Sequence, residues 1–437
     1  MDWNRWYSAK SYLRSSLWTV PLIAVAIYAV VKPLTEMLGR WMIRQAILDP
    51  KTGFLGLSMT GARSLLGDIV SADLAFLVFT FASLLVAIQV AGGQYTPRII
   101  ATTLLRDNII RSISGLFVFT MLFADRTQSW MGENEVHQLQ VFLAALFGFA
   151  SVVAFLFLID YAAKSLRPVS LVARVGKHGT AVIESVYPAP TRGAINVPER
   201  DNERGAPDRI VRHGGKSGIV LAVNLERLVA KARRTDSVIE FVPQVGDFVA
   251  VDEPLFYLYG NSGAIDESRL RTLVAFGTER TMEQDPMFAF RILVDIALKA
   301  LSAAINDPTT AVLAIDQVHR LLRVVGKRSL HIEEIVDRSG RVRAILRTPN
   351  WEDFVHISFR EIRQYGAGSI QIARRLRAAI ENLIQSLPEH RHEALRVELA
   401  LLDRAIVSTH PFPEDLALAR IPDSQGLGGS AGSTAND

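Results

Sequence analysis

The chain contains no cysteine in its 437 residues. That absence removes disulfides, thiolate metal sites and cysteine nucleophiles from consideration. The common catalytic signatures are missing too. There is no HExxH, no GxGxxG and no Ser-His-Asp spacing, and the nine histidines stand singly apart from His390 and His392. The run Gly215-Lys216-Ser217 ends like a phosphate-binding loop, but the glycine required five residues earlier is replaced by Ile210. The segment therefore reads as a turn between strands. Net charge is only +4, which gives no reason to invoke nucleic acid. A signal-peptide cleavage pattern is also lacking. Lys32, Pro33 and a bulky stretch follow the first apolar segment, which is expected to stay as an anchor. Beyond Asp160 no further long apolar run occurs.

What is present is concentrated at the front. Four apolar segments fall at Leu13–Val31, Leu74–Gly92, Ile109–Ala124 and Leu139–Asp160. A spanning helix needs about 20 apolar residues at 1.5 Å each to cross ~30 Å of hydrocarbon. The second and fourth reach that length. The third is short, and Arg111 within it is expected to snorkel toward the headgroups. Arg63–Asp73 reads as a helical extension of the second span. No span carries an Asp, Glu or Lys at mid-depth, which argues against a proton-coupled pump.

Lysine and arginine set the orientation. Arg5, Lys10 and Arg14 precede the first span, Arg98, Arg106 and Arg111 lie between the second and third, and Lys164, Arg167, Arg174 and Lys177 follow the fourth. The positive-inside rule puts both termini in the cytosol. Arg40, Arg44, Lys51 and Arg63 in the 32–73 loop argue the other way.

Small residues mark packing faces in lipid: Ala144, Gly148 and Ser151 in the fourth segment, Ser114 and Gly115 in the third. Gln89, if buried, needs a partner. Thr80 and Ser83 share a helix face and are the candidate pore-facing positions. Gly92, Gly93 and Pro97 form a candidate hinge, followed by a short amphipathic helix carrying Arg98 and Arg106.

The back half is polar. The expected fold is a four-helix membrane domain (1–166), a small barrel-sandwich-like β domain (167–262) with a loop insert at 187–209, a mainly helical α+β domain (263–423) and a disordered tail (424–437). β-type runs are read at Val169–Val175, Ala181–Val186, Ile210–Arg212, Gly218–Val223, Val238–Val242, Asp247–Val251 and Leu255–Tyr259. Asp285-Pro286 and Asp307-Pro308 each place an N-cap before a first-turn proline. They predict helices from Pro286 to about Ala304 and from Pro308 to about Val325. A β pair, His331–Val336 with Arg341–Thr348, precedes helices at Phe354–Tyr365, Ser369–Ser386 and Glu389–Ile406.

Three stretches carry a resemblance: Gly93-Gln-Tyr-Thr-Pro-Arg98, Gly277-Thr-Glu-Arg-Thr281, and the long run from Gln284-Asp-Pro-Met-Phe to Asn306-Asp-Pro-Thr-Thr-Ala-Val312. The chain resembles a bacterial family of predicted membrane proteins known as a domain of unknown function (DUF 2254). The resemblance implies a bacterial inner-membrane location and no activity.

Three functions are open on the residues alone. The first is an oligomeric channel or transporter-like pore with a cytosolic regulatory domain, because four helices without internal charge suit a ring of homo-oligomer protomers. The second is a membrane-anchored enzyme or ligand-binding protein. Its candidate cluster is Arg280, Asp285, Arg291, Asp295, Asn306 and Asp307, where carboxylates near two helix N-termini suit Mg²⁺ or phosphate. Helix capping and i,i+4 pairing compete for the same residues. The third is a membrane scaffold. No motif calls for a cofactor, the metal question is left open, and the bilayer is the one partner the sequence demands.

Overall fold

The computed structural model describes residues 3–16, 18–45, 57–94, 107–131, 138–165, 167–191, 205–330, 334–337 and 339–429. The chain divides into two compact units: Leu13–Gly93 with Ile100–Arg167, and Met1–Tyr12 with Gln94–Ile99 and Pro168–Asp437.

The first unit holds four helices long and apolar enough to cross a bilayer. They are α2 (Thr19–Arg44), α3 (Met59–Gln94), α4 (Asn108–Trp130) and α5 (Gln138–Ser165). The first span therefore starts later and runs further than the apolar segment Leu13–Val31. Residues Trp3–Ser15 form a separate helix, α1, and Pro33 is accommodated inside α2. The helical extension before the second span is present: α3 is continuous over 36 residues, about 54 Å at 1.5 Å per residue. Small residues set the packing as expected. A Cβ on Gly148 would lie 3.0 Å from Ile69 Cγ1, and one on Gly115 would lie 2.9 Å from Val20 Cγ1. Ala62, Leu66, Phe123, Val141 and Ala144 belong to one buried cluster.

Arg111 departs from expectation. It does not snorkel but is buried, donating to the Leu13 carbonyl and the Thr19 hydroxyl. The acceptors exist because the backbone breaks between α1 and α2, so the guanidinium finds partners without reaching water. Gln89 is exposed, so it places no demand on a neighbouring helix. Gly92 and Gly93 lie inside the last turn of α3. Pro97 and the expected amphipathic helix with Arg98 and Arg106 lie outside the described residues.

The second unit is α/β, with open sheets rather than the expected barrel. A five-stranded sheet has the order β1-β5-β3-β8-β7, and a three-stranded one the order β4-β2-β6. The strands are β1 (Arg209–Arg212), β2 (Gly218–Val223), β3 (Ser237–Phe241), β4 (Phe248–Val249), β5 (Pro254–Gly260), β6 (Val274–Gly277), β7 (Glu334–Val336) and β8 (Val342–Leu346). Two features keep a barrel from closing. Leu225–Thr235 forms helix α7, capped by the Asn224 side chain on Arg227 N–H and burying Leu228 and Ala232. β8 then arrives from far along the chain to pair in parallel with β3, Ile239 opposite Ala344. The expected β pair is present as β7 with β8, and it is antiparallel. Val211, Leu228, Ile239, Phe241, Phe256 and Leu258 form the core of this layer. Trp3 and Tyr7 of α1 pack on Leu221, Ala222 and Ala275 of the smaller sheet.

The runs Val169–Val175 and Ala181–Val186 are not strands. They belong to one helix, α6 (Pro168–Val186). Its buried positions Leu171, Val172, Val175, Gly176, Gly179, Val182 and Ile183 follow a 3.6-residue period, which overrides the β propensity of its valines. The helix docks closely through glycine, since a Cβ on Gly179 would fall 2.8 Å from Ala289 Cβ.

The remaining helices are α8 (Glu267–Arg271), α9 (Pro286–Ala300), α10 (Pro308–Val325), α11 (Trp351–Gly366), α12 (Ile370–Ser386), α13 (His392–Thr409) and α14 (Pro413–Ala419). Residues 424–429, the start of the expected disordered tail, are fastened: Gln371 Nε2 donates to the Gly426 carbonyl at 2.7 Å, and Asp423 accepts from the Gln425, Gly426 and Gly428 amides.

Candidate functional site

The six candidates of the α/β unit are strung along one helix rather than converged on a point. Helix α9 has 15 residues, about 22 Å. Arg280 and Asp285 lie at its start, Arg291 and Asp295 along its body, and Asn306 and Asp307 beyond its end.

At the start, Asp285 is the N-cap and accepts from Phe288 N–H at 3.1 Å. Its Oδ1 is thereby used, while Oδ2 is buried without a hydrogen-bond partner. Arg280 Nε donates to the Gly246 carbonyl at 2.8 Å. Gly246 has a φ of +96°, and a Cβ there would sit 2.5 Å from Asp285 Oδ2. A glycine is required by both conformation and space. Burial pushes the Asp285 carboxyl up to about 6, opposed by Arg280 and by the amides of the first turn. The Tyr187 phenol is fully buried, with its hydroxyl unpaired among the described residues. Burial raises it, and the negative charges of Asp285 and Asp353 add to the effect.

In the body of α9, Arg291 donates to Asp295 Oδ1 at 2.6 Å and grips Glu361 of α11 with both terminal nitrogens, at 2.7 and 3.0 Å. The Glu361 carboxyl is held below its ordinary value by that guanidinium. This fork joins two helices and leaves the arginine no free donor edge for a ligand. At the far end, Asn306 takes a left-handed φ of 48°. Asp307 caps α10, accepting from Thr310 N–H at 3.0 Å and the Thr310 hydroxyl at 2.5 Å. Among the described residues no three His, Asp or Glu side chains converge as a metal site.

In the membrane unit, Thr80 and Ser83 line a cavity of about 160 Å³ together with Phe155, Leu158 and Asp107. Both hydroxyls donate to carbonyls of their own helix, Thr80 to Phe76 and Ser83 to Phe79. Neither needs water or another helix, so the cavity is apolar in character.

The residue that sequence reasoning passed over is Asp73. In the sequence it directly precedes the apolar segment Leu74–Gly92 and borders it. Because α3 starts at Met59, Asp73 instead lies well inside a helix long and apolar enough to cross a bilayer. The apolar segment itself holds no interior acid, but the longer helix that contains it does. Asp73 is 1% exposed, and neither carboxylate oxygen has a hydrogen-bond partner among the described residues. Beside it is the Ser151 hydroxyl, halfway along α5. Ser151 donates to the Thr120 hydroxyl, halfway along α4, at 3.4 Å. Asp73 also lines a cavity of about 270 Å³ between α3 and α5, with Ala72, Ala145 and Gly148 supplying the room. The legible signal was the helical reading of Arg63–Asp73, which already implied that the acid was interior.

The chain is 24% identical over 416 residues to uncharacterised proteins of Mycobacterium bovis and Mycobacterium tuberculosis, covering 92% of this chain and 78% of theirs. No solved structure matches it. The apolar four-helix unit accords with the match of residues 14–382 to one family, and the chain belongs to that family, described as "Predicted membrane protein (DUF2254)".

Proposed function

We propose that the protein is a transporter-like or channel-like pore for protons or small monovalent cations, assembled from several copies and regulated by its α/β unit. The observation that carries this reading is Asp73. A charged side chain at the centre of a spanning helix costs about 3 kcal/mol even on the mildest scale. Such a residue persists where a counter-charge, water or a proton neutralises it. It is buried with the Ser151 hydroxyl beside it, Ser151 in turn reaches the Thr120 hydroxyl, and the adjoining 270 Å³ cavity has the volume for several waters. Four helices alone enclose little, and Leu85, Val86, Phe149 and Leu156 turn large apolar surfaces outward. These faces suit lipid and neighbouring protomers alike.

The enzyme reading gains no comparable support, since five of its six residues have structural work in caps, turns or ion pairs and Arg280 tethers a loop.

The test is flux. Full-length protein in liposomes carrying an internal pH dye, under a valinomycin-imposed potential, is expected to pass protons or Na⁺. Asp73→Asn, which keeps shape and removes charge, should lower the rate at least tenfold, while Asp125→Asn, an exposed acid of α4 outside that cavity, should not. A wild-type rate equal to empty liposomes for H⁺, Na⁺ and K⁺ would discard the reading, and so would an Asp73→Asn variant as active as wild type.

A further inference from the structure

A cleft of about 520 Å³ lies in the α/β unit, over the C-terminal half of α10 and against Glu184 of α6. Its charges do not cancel. The two acids that line it are already committed. Glu184 takes Arg328 Nη2 at 3.1 Å, and Asp316 takes Arg375 Nε at 2.6 Å from α12. Burial holds His319 toward its neutral form, and its Nε2 lies 3.0 Å from Asn382 Oδ1. Arg323 Nη1 donates to the same oxygen at 3.3 Å, which fixes that guanidinium without neutralising it.

Three cations remain. No carboxylate pairs with Arg320, Arg323 or Lys327 among the described residues. They lie at i, i+3 and i+7, on one face of α10 and the turn after it, spanning about 10 Å. Like charges at this spacing repel one another. The C-terminal dipole of the helix accounts for one such charge near its end, not for three around a cleft. The cleft is of the size that holds small molecules, and Arg is suited to gripping phosphate oxygens with its planar donor fork.

We infer that this cleft binds an anion bearing more than one phosphate, gripped by Arg320, Arg323 and Lys327. The inference is independent of the transport reading, because it concerns a different unit and different residues. Two sources share this chemistry: a soluble phosphorylated molecule and an acidic lipid headgroup.

The probe is inorganic pyrophosphate, titrated calorimetrically into full-length protein in nanodiscs of phosphatidylcholine. Saturable binding is expected, weakening as salt is raised. Arg320→Gln with Lys327→Gln should weaken it at least tenfold, while Arg320→Lys should retain most of it and Arg269→Gln, an exposed arginine elsewhere in the unit, should leave it unchanged. All three positions are at the surface, and circular dichroism verifies that each variant is folded. Repeating the titration in discs containing cardiolipin separates the sources. Competition that disappears in the double variant assigns the cleft to a headgroup, and unchanged affinity assigns it to a soluble anion. Absence of saturation, or equal losses for Arg269→Gln and the double variant, overturns the inference.

Discussion

Asp73 in the membrane unit and Asp307 in the α/β unit are both acids on helices, and they are satisfied in opposite ways. Asp307 stands before the first turn, where backbone amides have no intrahelical acceptor. It takes the Thr310 amide and hydroxyl. Asp73 stands in the middle of α3, where every amide is used by the helix itself, and the Ser151 hydroxyl is the donor beside its oxygens. Asp285 is intermediate: one oxygen caps α9 and the other is left buried and unpaired. Position along the helix, more than burial, decides whether a carboxylate is held by the fold or left available. Tertiary partners are the remaining remedy, as Arg291 is for Asp295 and Glu361.

Asp285 is the place where this contrast is most easily broken. Its carboxyl moves from 3.8 to about 6 in the folded chain, so the folded state holds its proton more tightly than the unfolded state. The resulting stabilisation is fully present below pH 3.8 and is lost as pH rises through about 6. Two pKa units correspond to about 3 kcal/mol. Asp285→Asn keeps the cap, because Asn caps nearly as well. Thermal unfolding of the full chain between pH 4 and 7 should therefore show a decline in wild type that the variant lacks. Parallel curves would refute the buried-acid account.

A smaller effect is expected at Arg291. Replacing it by Gln leaves two carboxylates facing each other across α9 and α11, at a cost of about 2 kcal/mol, reduced from the fully buried case because Glu361 is 42% exposed. Denaturant titration at pH 7 measures it, and a loss below about 0.5 kcal/mol would reduce the fork to an ordinary surface pair.

Smallest is the cap of α10. Asp307→Ala should cost about 1 kcal/mol and Asp307→Asn a few tenths. Hydrogen exchange at the Thr310 amide would report the difference. If Asn abolishes flux while protection there is unchanged, the charge of Asp307 has a role beyond capping.

The Asp-Pro pairs were legible because a cap is a local event. Asp285, Pro286 and the Phe288 amide are within a few residues of each other, and the same holds for Asp307. The apolar positions at helical spacing are buried as well, Phe290, Leu293, Val294 and Ala297 in α9 and Val312, Ile315 and Val318 in α10, while Leu301 at the end of α9 is only half-buried. Helix α6 was misread where valine favoured strand locally and the period favoured helix. The barrel was misread because the partner of β3 lies more than a hundred residues away and nothing in 218–256 announces it.

Sequence by itself determined the division into an apolar four-helix front and a polar α/β back, since spanning length and charge placement are properties of contiguous residues. It also determined the starts of α9 and α10, since capping is short-range. Only the tertiary structure decided what surrounds each charge. Arg111 found carbonyl and hydroxyl acceptors at the α1–α2 break, and Arg320, Arg323 and Lys327 were left facing a cleft whose acids were taken by Arg328 and Arg375. Asp73 came to rest beside the Ser151 hydroxyl, inside the helix bundle. The physical reason is that the cost of a charge depends on which groups from distant parts of the chain meet it, and spacing along the sequence carries no record of that meeting.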